Sequence, residues 1–213
     1  MILLTGFEPF GGETTNPSWT AAREAAAVLR AEGHDAQAVE LPCVFGEAIG
    51  VLEAALERYS PDVVLCAGQA GGRARVSLER IAINCDDARI PDNAGNAPVD
   101  EPVVPGGPAA YFSSLPLKAA LAALDAAQIP AEVSQTAGTY VCNHTFYGLM
   151  HALRLRAGTR GGFVHVPYAA GQVPRGSGSP SLPVDLMTEA LAVVVRTALA
   201  VSADLKLAAG TTH

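Results

Sequence analysis

The sequence has no excess of positive charge and no long uninterrupted apolar segment. Its 14 Lys and Arg residues are outnumbered by 21 Asp and Glu residues, which gives a net charge of −7. Binding to a phosphate backbone or to an anionic membrane surface needs a broad cationic face, so we expect no nucleic acid and no membrane among the partners. The most apolar late segment, 190–203, is interrupted by Arg196 and Thr197, and it predicts no transmembrane span.

The sequence also lacks the marks of a secreted protein. Residues 1–6 (M-I-L-L-T-G) have neither the basic start nor the long apolar core of a signal peptide. The four cysteines include no Cys-x-x-Cys pair. We therefore expect a cytoplasmic protein, whose reducing surroundings argue against a disulfide framework. Each cysteine is then assessed as a single thiol.

Short β-rich segments alternate with amphipathic segments along the whole chain, without an internal repeat. This alternation is typical of α/β folds. We therefore predict one α/β domain over residues 1–213, with an open, mostly parallel twisted sheet flanked by helices. Asn16 is expected to cap the first helix, with Pro17 as its first residue, and residues 86–107 to form a surface loop near a site. The predicted strands are 2–5, 35–41, 62–67, 75–84, 131–136 and 161–166, and the predicted helices are 17–31, 45–59, 115–127, 143–156 and 183–203.

Cys142 is the best candidate for a nucleophile among the four cysteines. It follows a glycine-containing turn and precedes an amphipathic segment, so its sulfur would lie at the positive end of a helix. The dipole and the free N–H groups there favour a thiolate and can hold an oxyanion. A buried thiol without a catalytic role is the alternative. Cys43 and Cys66 are expected to be small core residues, and Cys85 lies beside two aspartates that would raise its pKa.

His165 is the best candidate for a catalytic base. It lies near the end of the apolar segment 161–166 and should emerge at the carboxyl edge of a strand, where ligand clefts form in α/β proteins. A buried structural histidine is the alternative. His144 is only two residues from Cys142, and such side chains do not face each other on a helix. We expect His144 to be a solvated residue of the first helical turn.

Glu79 is a candidate partner for an imidazole. In the predicted strand 75–84 it shares one face with Ile81 and Ile83, whereas Arg80 points to the other face. A carboxylate on an apolar face needs a partner, because burying it alone is costly. A histidine would make Glu79 the third member of a Cys-His-acid set. The spacing alone does not establish that set.

Seven ordered blocks of the sequence resemble the pyrrolidone-carboxylate peptidase family, also called pyroglutamyl peptidase type I. The blocks are L-L-T-G-F-E-P-F-G-G-E-T-T-N-P-S-W at 3–19, G-Q-A-G-G-R at 68–73, E-R-I-A-I-N at 79–84, D-A-R-I-P-D-N at 87–93, G-G-P-A-A-Y-F at 106–112, T-A-G-T-Y-V-C-N at 136–143 and G-G-F-V-H-V-P-Y at 161–168. The family consists of cytosolic cysteine exopeptidases. Its open α/β fold is similar in outline to that of purine nucleoside phosphorylases.

The resemblance implies a role for each candidate residue. Cys142 would be the nucleophile, His165 the general base and acid, and Glu79 the residue that orients the histidine. Arg89 would lie near the thiol, favour the thiolate and help to hold the oxyanion. The alternative for Arg89 is a surface salt bridge with a neighbouring aspartate.

The resemblance also implies the substrate, a peptide whose first residue is the uncharged lactam pyroglutamate. No cofactor or metal would be required, and a homotetramer is expected because bacterial members commonly form one. Tyr140 departs from the family, which commonly has Phe there, and its hydroxyl must reach water or a partner. The residues that match ring-gripping positions are Phe7, Phe10, Tyr140 and Val141, and those that match positions near the lactam are Asn16 and Gln69, the latter through its backbone.

Two other functions fit an α/β chain with a glycine-rich loop after its first strand. One is a nucleoside phosphorylase or nucleotide-binding enzyme, and the other is a binding module without catalysis. The chain contains neither G-x-G-x-x-G nor G-x-x-x-x-G-K-[ST], so neither phosphate-binding fingerprint is present. Both alternatives are therefore less well supported than a peptidase.

Overall fold

A six-stranded sheet forms the centre of the computed structural model, which describes residues 1–174 and 176–210. The strands are β1 (Ile2–Phe7), β2 (Ala36–Leu41), β3 (Val63–Gln69), β4 (Val76–Glu79), β5 (Ile81–Ile83), β6 (Ala110–Phe112), β7 (Ala131–Ser134), β8 (Arg160–Val166), β9 (Tyr168–Ala169) and β10 (Ser181–Leu182). The helices are α1 (Pro17–Ala31), α2 (Glu47–Tyr59), α3 (Leu117–Ala126), α4 (Val141–Leu153) and α5 (Val184–Ala200). The predicted domain, 1–213, includes Arg175 and residues 211–213, which lie outside the described part of the chain.

The strand order of the central sheet is β2-β1-β3-β8-β4-β7. Neighbouring strands run parallel except β4 and β8, which are antiparallel. Two short pairs, β5 with β6 and β9 with β10, lie outside this sheet. The prediction of an open, mostly parallel sheet flanked by helices is confirmed.

An apolar layer covers each face of the sheet. Helices α1, α3 and α5 pack on one face together with Ile2 and Leu4 of β1, while α2 and α4 pack on the other face with Leu3. Successive side chains of a strand point to opposite faces, so a single apolar strand supplies both layers. Within the described ranges, no helix is long and apolar enough to cross a membrane.

The start of α1 follows the prediction. Pro17 is the first helical residue, and Oδ1 of the N-cap Asn16 accepts a hydrogen bond from Ser18 N–H at 3.1 Å. Phe7 N–H at the end of β1 donates to Ser18 Oγ, also at 3.1 Å. These bonds hold the loop between β1 and α1 beside the carboxyl end of the sheet.

The prediction of one continuous strand over 75–84 is wrong. The chain forms two strands, β4 in the central sheet and β5 in the pair with β6. At the break, Arg80 N–H donates to Ser134 O at 3.0 Å and Arg80 O accepts from Ser113 N–H at 2.9 Å. Glu79 is therefore fully buried at the end of β4, whereas Ile81 is only partly buried. The two residues belong to strands of different sheets, so the single strand face assumed for them is interrupted at Arg80.

Candidate active site

A cavity of about 180 Å³ opens at the carboxyl end of the sheet, next to the N-terminus of α4. Ligand clefts of α/β proteins form at this edge. The residues that line the cavity are Phe7, Phe10, Asn16, Cys43, Gln69, Ala70, Arg73, Ala137, Gly138, Tyr140, Cys142 and His165. Most of the predicted site residues therefore meet at one place, although they are far apart in the sequence.

Cys142 is the second residue of α4 and is partly exposed. Its sulfur lies against the backbone of β3, because a Cβ built on Gly68 would be 2.7 Å from Cys142 Sγ and 2.8 Å from Phe163 Cζ. Only glycine leaves room for the sulfur at this point. Gly68 is the register partner of His165 in the pairing of β3 with β8. The sulfur and the imidazole thus belong to the same small area of the sheet edge.

His165 is held by Glu79. Nδ1 of His165 lies 2.7 Å from Glu79 Oε1, and the two residues are 3% and 0% exposed. An ionised carboxylate can only accept, so Nδ1 carries the proton and Nε2 of the neutral ring is unprotonated. In the described ranges, Nε2 has no protein hydrogen-bond partner. His165 therefore has a free ring nitrogen, as a base requires, and its side chain lines the cavity.

Arg73 also contacts Glu79, a contact that the sequence does not predict. Arg73 Nη1 donates to Glu79 Oε1 at 2.6 Å, and Nη2 donates to Thr136 O at 3.1 Å. Its side chain is 27% exposed and lines the cavity. The only signal was its place in the G-Q-A-G-G-R block, since the turn that brings residue 73 back to residue 79 cannot be read from local patterns.

Burial controls the state of the Cys142 thiol. It raises the pKa of Cys142, Cys43 and Glu79 raise it further, and Arg73 lowers it. This rise disfavours the thiolate and opposes the lowering predicted from the helix N-terminus. A base is then needed to remove its proton during attack.

The pKa of the other three cysteines is raised as well, so the pKa does not distinguish Cys142 from them. Burial raises the pKa of Cys43 and of Cys66 to about 12, as expected for core residues. Burial and three nearby aspartates raise the pKa of Cys85, in the direction predicted. Cys43 also lines the cavity, which the sequence did not indicate.

Aromatic side chains form one wall of the cavity. The ring centroids of Phe10 and Tyr140 are 6.2 Å apart, and Phe45 meets Tyr140 edge to face at 5.4 Å. The hydroxyl of Tyr140 donates to Pro91 O at 3.0 Å, which gives the extra hydroxyl its partner. The wall therefore stays apolar. Val141 is fully buried in the layer of α2 and α4 and does not line the cavity.

Two amide side chains supply polar groups in the cavity. Asn16 Oδ1 accepts from Ser18 N–H and from Ser18 Oγ–H at 2.8 Å, while Asn16 Nδ2 donates to Glu8 O at 3.0 Å. Gln69 is the last residue of β3 and is 8% exposed. Both residues line the same cavity as Cys142 and His165.

Arg89 lies outside this cavity. It is exposed and lines an adjoining cavity of about 390 Å³ that shares Tyr140 with the first one. In the described ranges it forms no salt bridge with Asp86 or Asp87. Of the two arginines, Arg73 is the one that lines the cavity with Cys142.

His144 is buried, so the prediction of a solvated residue is wrong. Its Nδ1 lies 2.7 Å from Asp86 Oδ2, and its Nε2 accepts from Gly46 N–H at 2.8 Å. The next residue back, Asn143, is also fully buried and exchanges hydrogen bonds with both backbone groups of Ile83, at 3.0 and 2.9 Å. These contacts fix the first turn of α4, and with it Cys142.

In the described ranges, no group of three His, Cys, Asp or Glu side chains could hold a metal ion.

The chain is similar to proteins of one family in sequence and in structure. The family model described as "Pyroglutamyl peptidase" matches residues 1–201. Pyrrolidone-carboxylate peptidase of Klebsiella pneumoniae (strain 342) is 54% identical over 212 residues, which are 100% of this chain and 99% of that protein. The counterpart from Streptomyces coelicolor is 54% identical over 215 residues, with the same coverage of 100% and 99%.

Solved structures with the same architecture also superpose on nearly the whole chain. The crystal structure of pyroglutamyl peptidase I from Bacillus amyloliquefaciens superposes with a TM-score of 0.89 at 47% identity, covering 96% of this chain and 98% of that chain. A mutant pyrrolidone carboxyl peptidase from P. furiosus superposes with a TM-score of 0.84 at 42% identity, covering 93% and 98%.

Proposed function

The chain belongs to the pyroglutamyl peptidase family of cysteine omega-peptidases, and from this premise we propose that Cys142, His165 and Glu79 form its catalytic triad. The observation that carries the proposal is the hydrogen bond from His165 Nδ1 to the buried Glu79 carboxylate, next to a cavity that both His165 and Cys142 line. A nucleophile, a base and a group that orients the base are the parts that acyl transfer through a thioester requires.

In the first half of the reaction, Nε2 of His165 takes the proton of the Cys142 thiol as the sulfur attacks the pyroglutamyl carbonyl. The resulting imidazolium is stabilised by the Glu79 carboxylate. It then gives the proton to the departing amine as the C–N bond breaks, which leaves a thioester on Cys142. In the second half, Nε2 takes a proton from water, the water oxygen attacks the thioester, and the sulfur leaves with that proton. Pyroglutamate and the neutral thiol are the products.

Backbone N–H groups at the start of α4 are suited to the oxyanion of the tetrahedral intermediate. The N-cap Tyr140 makes no side-chain capping bond, and His144 N–H is bonded to Tyr140 O. The N–H of Cys142 precedes it and has no acceptor within the helix. Such donors stabilise negative charge that develops on a carbonyl oxygen. We assign the Cys142 N–H this role, and we assign Arg73 the role of positioning the Glu79 carboxylate through its hydrogen bond. Arg89 lies in the adjoining cavity, so the geometry favours Arg73 over Arg89 as the arginine of the site.

The chemistry of the cavity matches a pyroglutamyl ring better than an ordinary N-terminal residue. Its walls are mostly apolar, and its lining includes the aromatic rings of Phe7, Phe10 and Tyr140, which offer apolar surface to a five-membered ring. None of its lining residues is an Asp or Glu, whereas Arg73 brings a positive charge. A charged α-ammonium group would be desolvated there without a counter-charge. An uncharged lactam avoids that cost, with Asn16 and Gln69 as hydrogen-bonding groups. By the family resemblance, we extend the proposal to a cytoplasmic homotetramer acting on pyroglutamyl peptides.

The test is hydrolysis of a chromogenic pyroglutamyl amide by the wild type, Cys142→Ala and the matched control Cys85→Ala. We expect Cys142→Ala to lower kcat roughly 10³-fold or more, with Cys85→Ala close to the wild type. Comparable activity of Cys142→Ala and the wild type would refute the triad. A wild type that cleaves nucleosides with phosphate and leaves the amide intact would refute the peptidase itself.

A further inference from the structure

His144 joins the first turn of α4 to two other segments of the chain, and the proposed reaction does not use it. The residue is 5% exposed. Its Nδ1 lies 2.7 Å from Asp86 Oδ2, and its Nε2 accepts from Gly46 N–H at 2.8 Å. Because Gly46 N–H can only donate, Nε2 carries no proton, and the neutral ring has its proton on Nδ1. Nδ1 therefore donates to the Asp86 carboxylate.

The Asp86 side of this connection leads back to the turn before the nucleophile. In the next residue, Asp87 N–H donates to Thr139 O at 2.9 Å, and Asp87 O accepts from the Thr139 hydroxyl at 2.7 Å. Thr139 precedes Cys142 in the chain and His144 follows it. Residues 86–87 are therefore bonded to the chain on both sides of the sulfur.

The Asp86 carboxylate depends on His144 for its pairing. Asp86 is 5% exposed, and among residues 1–174 and 176–210 its Oδ1 has no hydrogen-bond partner. Its backbone is held by Glu101, which exchanges hydrogen bonds with it at 2.7 and 3.0 Å. Without the proton on His144 Nδ1, a buried carboxylate would have no partner, which is costly. We expect residues 86–87 to shift in that case, and the turn that is bonded to them to shift as well.

The Gly46 side of the connection acts on α4 in a different way. Gly46 is the N-cap of α2. The ring of Phe45 meets the rings of His144 and Tyr140 edge to face, with centroids 5.3 and 5.4 Å apart. This side therefore reaches the start of α4 through ring packing, whereas the Asp86 side reaches it through hydrogen bonds.

We propose that His144 is a positioning residue of the reaction, which places Cys142 through the hydrogen bond from Nδ1 to Asp86, while the bond from Gly46 holds the ring in the tautomer that makes this donation possible. The inference rests on the proposed function, in which Cys142 is the nucleophile. A displaced first turn would move the sulfur away from His165 and the Cys142 N–H away from the oxyanion. A second histidine–carboxylate pair thus supports the nucleophile, as Glu79 supports the base.

Two substitutions of His144 separate its two nitrogens. The amide nitrogen of Asn is as many bonds from Cβ as Nδ1 of His, and the amide oxygen of Gln is as many bonds from Cβ as Nε2. His144→Asn therefore keeps the donor to Asp86 and loses the acceptor for Gly46, whereas His144→Gln keeps the acceptor and loses the donor. On the other side of the bond, Asp86→Asn keeps an acceptor for Nδ1 and Asp86→Ala removes it.

The experiment measures kcat and KM on a pyroglutamyl amide, the rate of Cys142 alkylation by iodoacetamide, and thermal unfolding. The control is His151→Gln, since His151 is also on α4, has its Nδ1 2.9 Å from the Tyr111 hydroxyl oxygen and does not line the cavity. The control should match the wild type.

For the test variants, we expect kcat to fall about 10- to 100-fold in His144→Gln and in Asp86→Ala, because a displacement of about 1 Å has effects of this size. In His144→Asn and Asp86→Asn, kcat should stay within about 3-fold of the wild type, and KM should change less than about 3-fold in all four variants. Alkylation should slow at least about 3-fold in the first pair only. The double variant His144→Gln/Asp86→Ala should lose no more than about 2-fold beyond the weaker single variant, because both changes remove the same bond.

Three outcomes overturn the inference. The first is a folded His144→Gln variant with the kcat of the wild type. The second is an equal loss of kcat in His144→Asn and His144→Gln, which would mean that His144 only fills space. The third is a double variant whose loss is the product of the two single losses. Should His144→Gln not fold, the comparison of Asp86→Asn with Asp86→Ala decides the question. A wild type that leaves the amide intact would refute the proposed function instead, and the alkylation rates would still show whether His144 positions Cys142.

Discussion

Replacing Glu79 by Gln tests how the site activates His165. The Glu79 carboxylate is fully buried, and its Oε1 receives both His165 Nδ1 at 2.7 Å and Arg73 Nη1 at 2.6 Å. Gln has the same shape but no charge. Its amide cannot stabilise the imidazolium that forms as the thiol loses its proton, and in one orientation its NH₂ group faces a ring N–H.

The size of the effect follows from the bond that strengthens in the transition state. A hydrogen bond to a charged group contributes about 1.5–3 kcal/mol, and each 1.36 kcal/mol corresponds to a tenfold change in rate, so this bond alone predicts a fall of about 10- to 100-fold. Loss of the correct tautomer adds to it, and the equivalent change in a serine peptidase lowers kcat about 10⁴-fold. We therefore expect kcat of Glu79→Gln to fall between about 10²- and 10⁴-fold. Arg73 is partly solvated, so the loss of its counter-charge should matter much less.

The assay compares kcat, KM and thermal unfolding for the wild type, Glu79→Gln and the control Glu132→Gln. Glu132 lies on the neighbouring strand β7, accepts from Ser77 Oγ at 3.1 Å and does not line the cavity. We expect the control to keep the turnover of the wild type and Glu79→Gln to keep its fold and KM. A folded Glu79→Gln variant with kcat within about tenfold of the wild type would refute the assigned role.

Two further predictions concern packing and pH. Gly68→Ala would place a Cβ 2.7 Å from Cys142 Sγ, so we expect kcat and the rate of Cys142 alkylation by iodoacetamide to fall at least about 10-fold. The control Gly50→Ala meets open space in α2 and should change neither rate. Equal rates for both variants would contradict the packing described. Asp92 is buried, which by itself raises its pKa, but hydrogen bonds from Asn96 and from three backbone N–H groups outweigh this and lower the pKa. A lowered native pKa gives stability that is present above the unfolded pKa of about 3.9 and is lost as pH falls through the native pKa. Asp92→Asn should therefore lower the free energy of unfolding in urea by about 1–3 kcal/mol at pH 7, and its deficit should shrink below about pH 4; a constant deficit across this range would contradict the pKa shift.

Much of the fold could be predicted because its signals are local. The buried strand at residues 2–5 and the Asn16–Pro17 helix start depend on side chains close in sequence, and both were predicted. The strand break at Arg80 could not be predicted, because it depends on the pairing of β5 with residues 110–112 and on a hydrogen bond to Ser134. Partners that are distant in sequence decide where such a strand ends.

The difference between local and long-range signals also decides which features of the site could be predicted. The sequence predicts that Cys142 and His165 lie at a ligand-binding edge because a helix start and a strand end are local features, and both residues line one cavity. Arg73 was missed because only the turn between β3 and β4 brings it to Glu79. His144 was misjudged because its partners are 58 and 98 residues away. Local periodicity indicates which face a side chain takes, but it does not reveal what the fold brings to meet it.

The most direct test of the proposed triad is to label the nucleophile with a pyroglutamyl chloromethyl ketone and locate the adduct by peptide mass spectrometry. The reagent forms a thioether with the attacking sulfur and releases chloride, and Cys43, which lines the same cavity, serves as an internal competitor. We predict one adduct per chain, on Cys142, forming in proportion to the loss of activity and much more slowly in His165→Ala. An adduct on Cys43, or loss of activity with Cys142 unlabelled, would contradict the account.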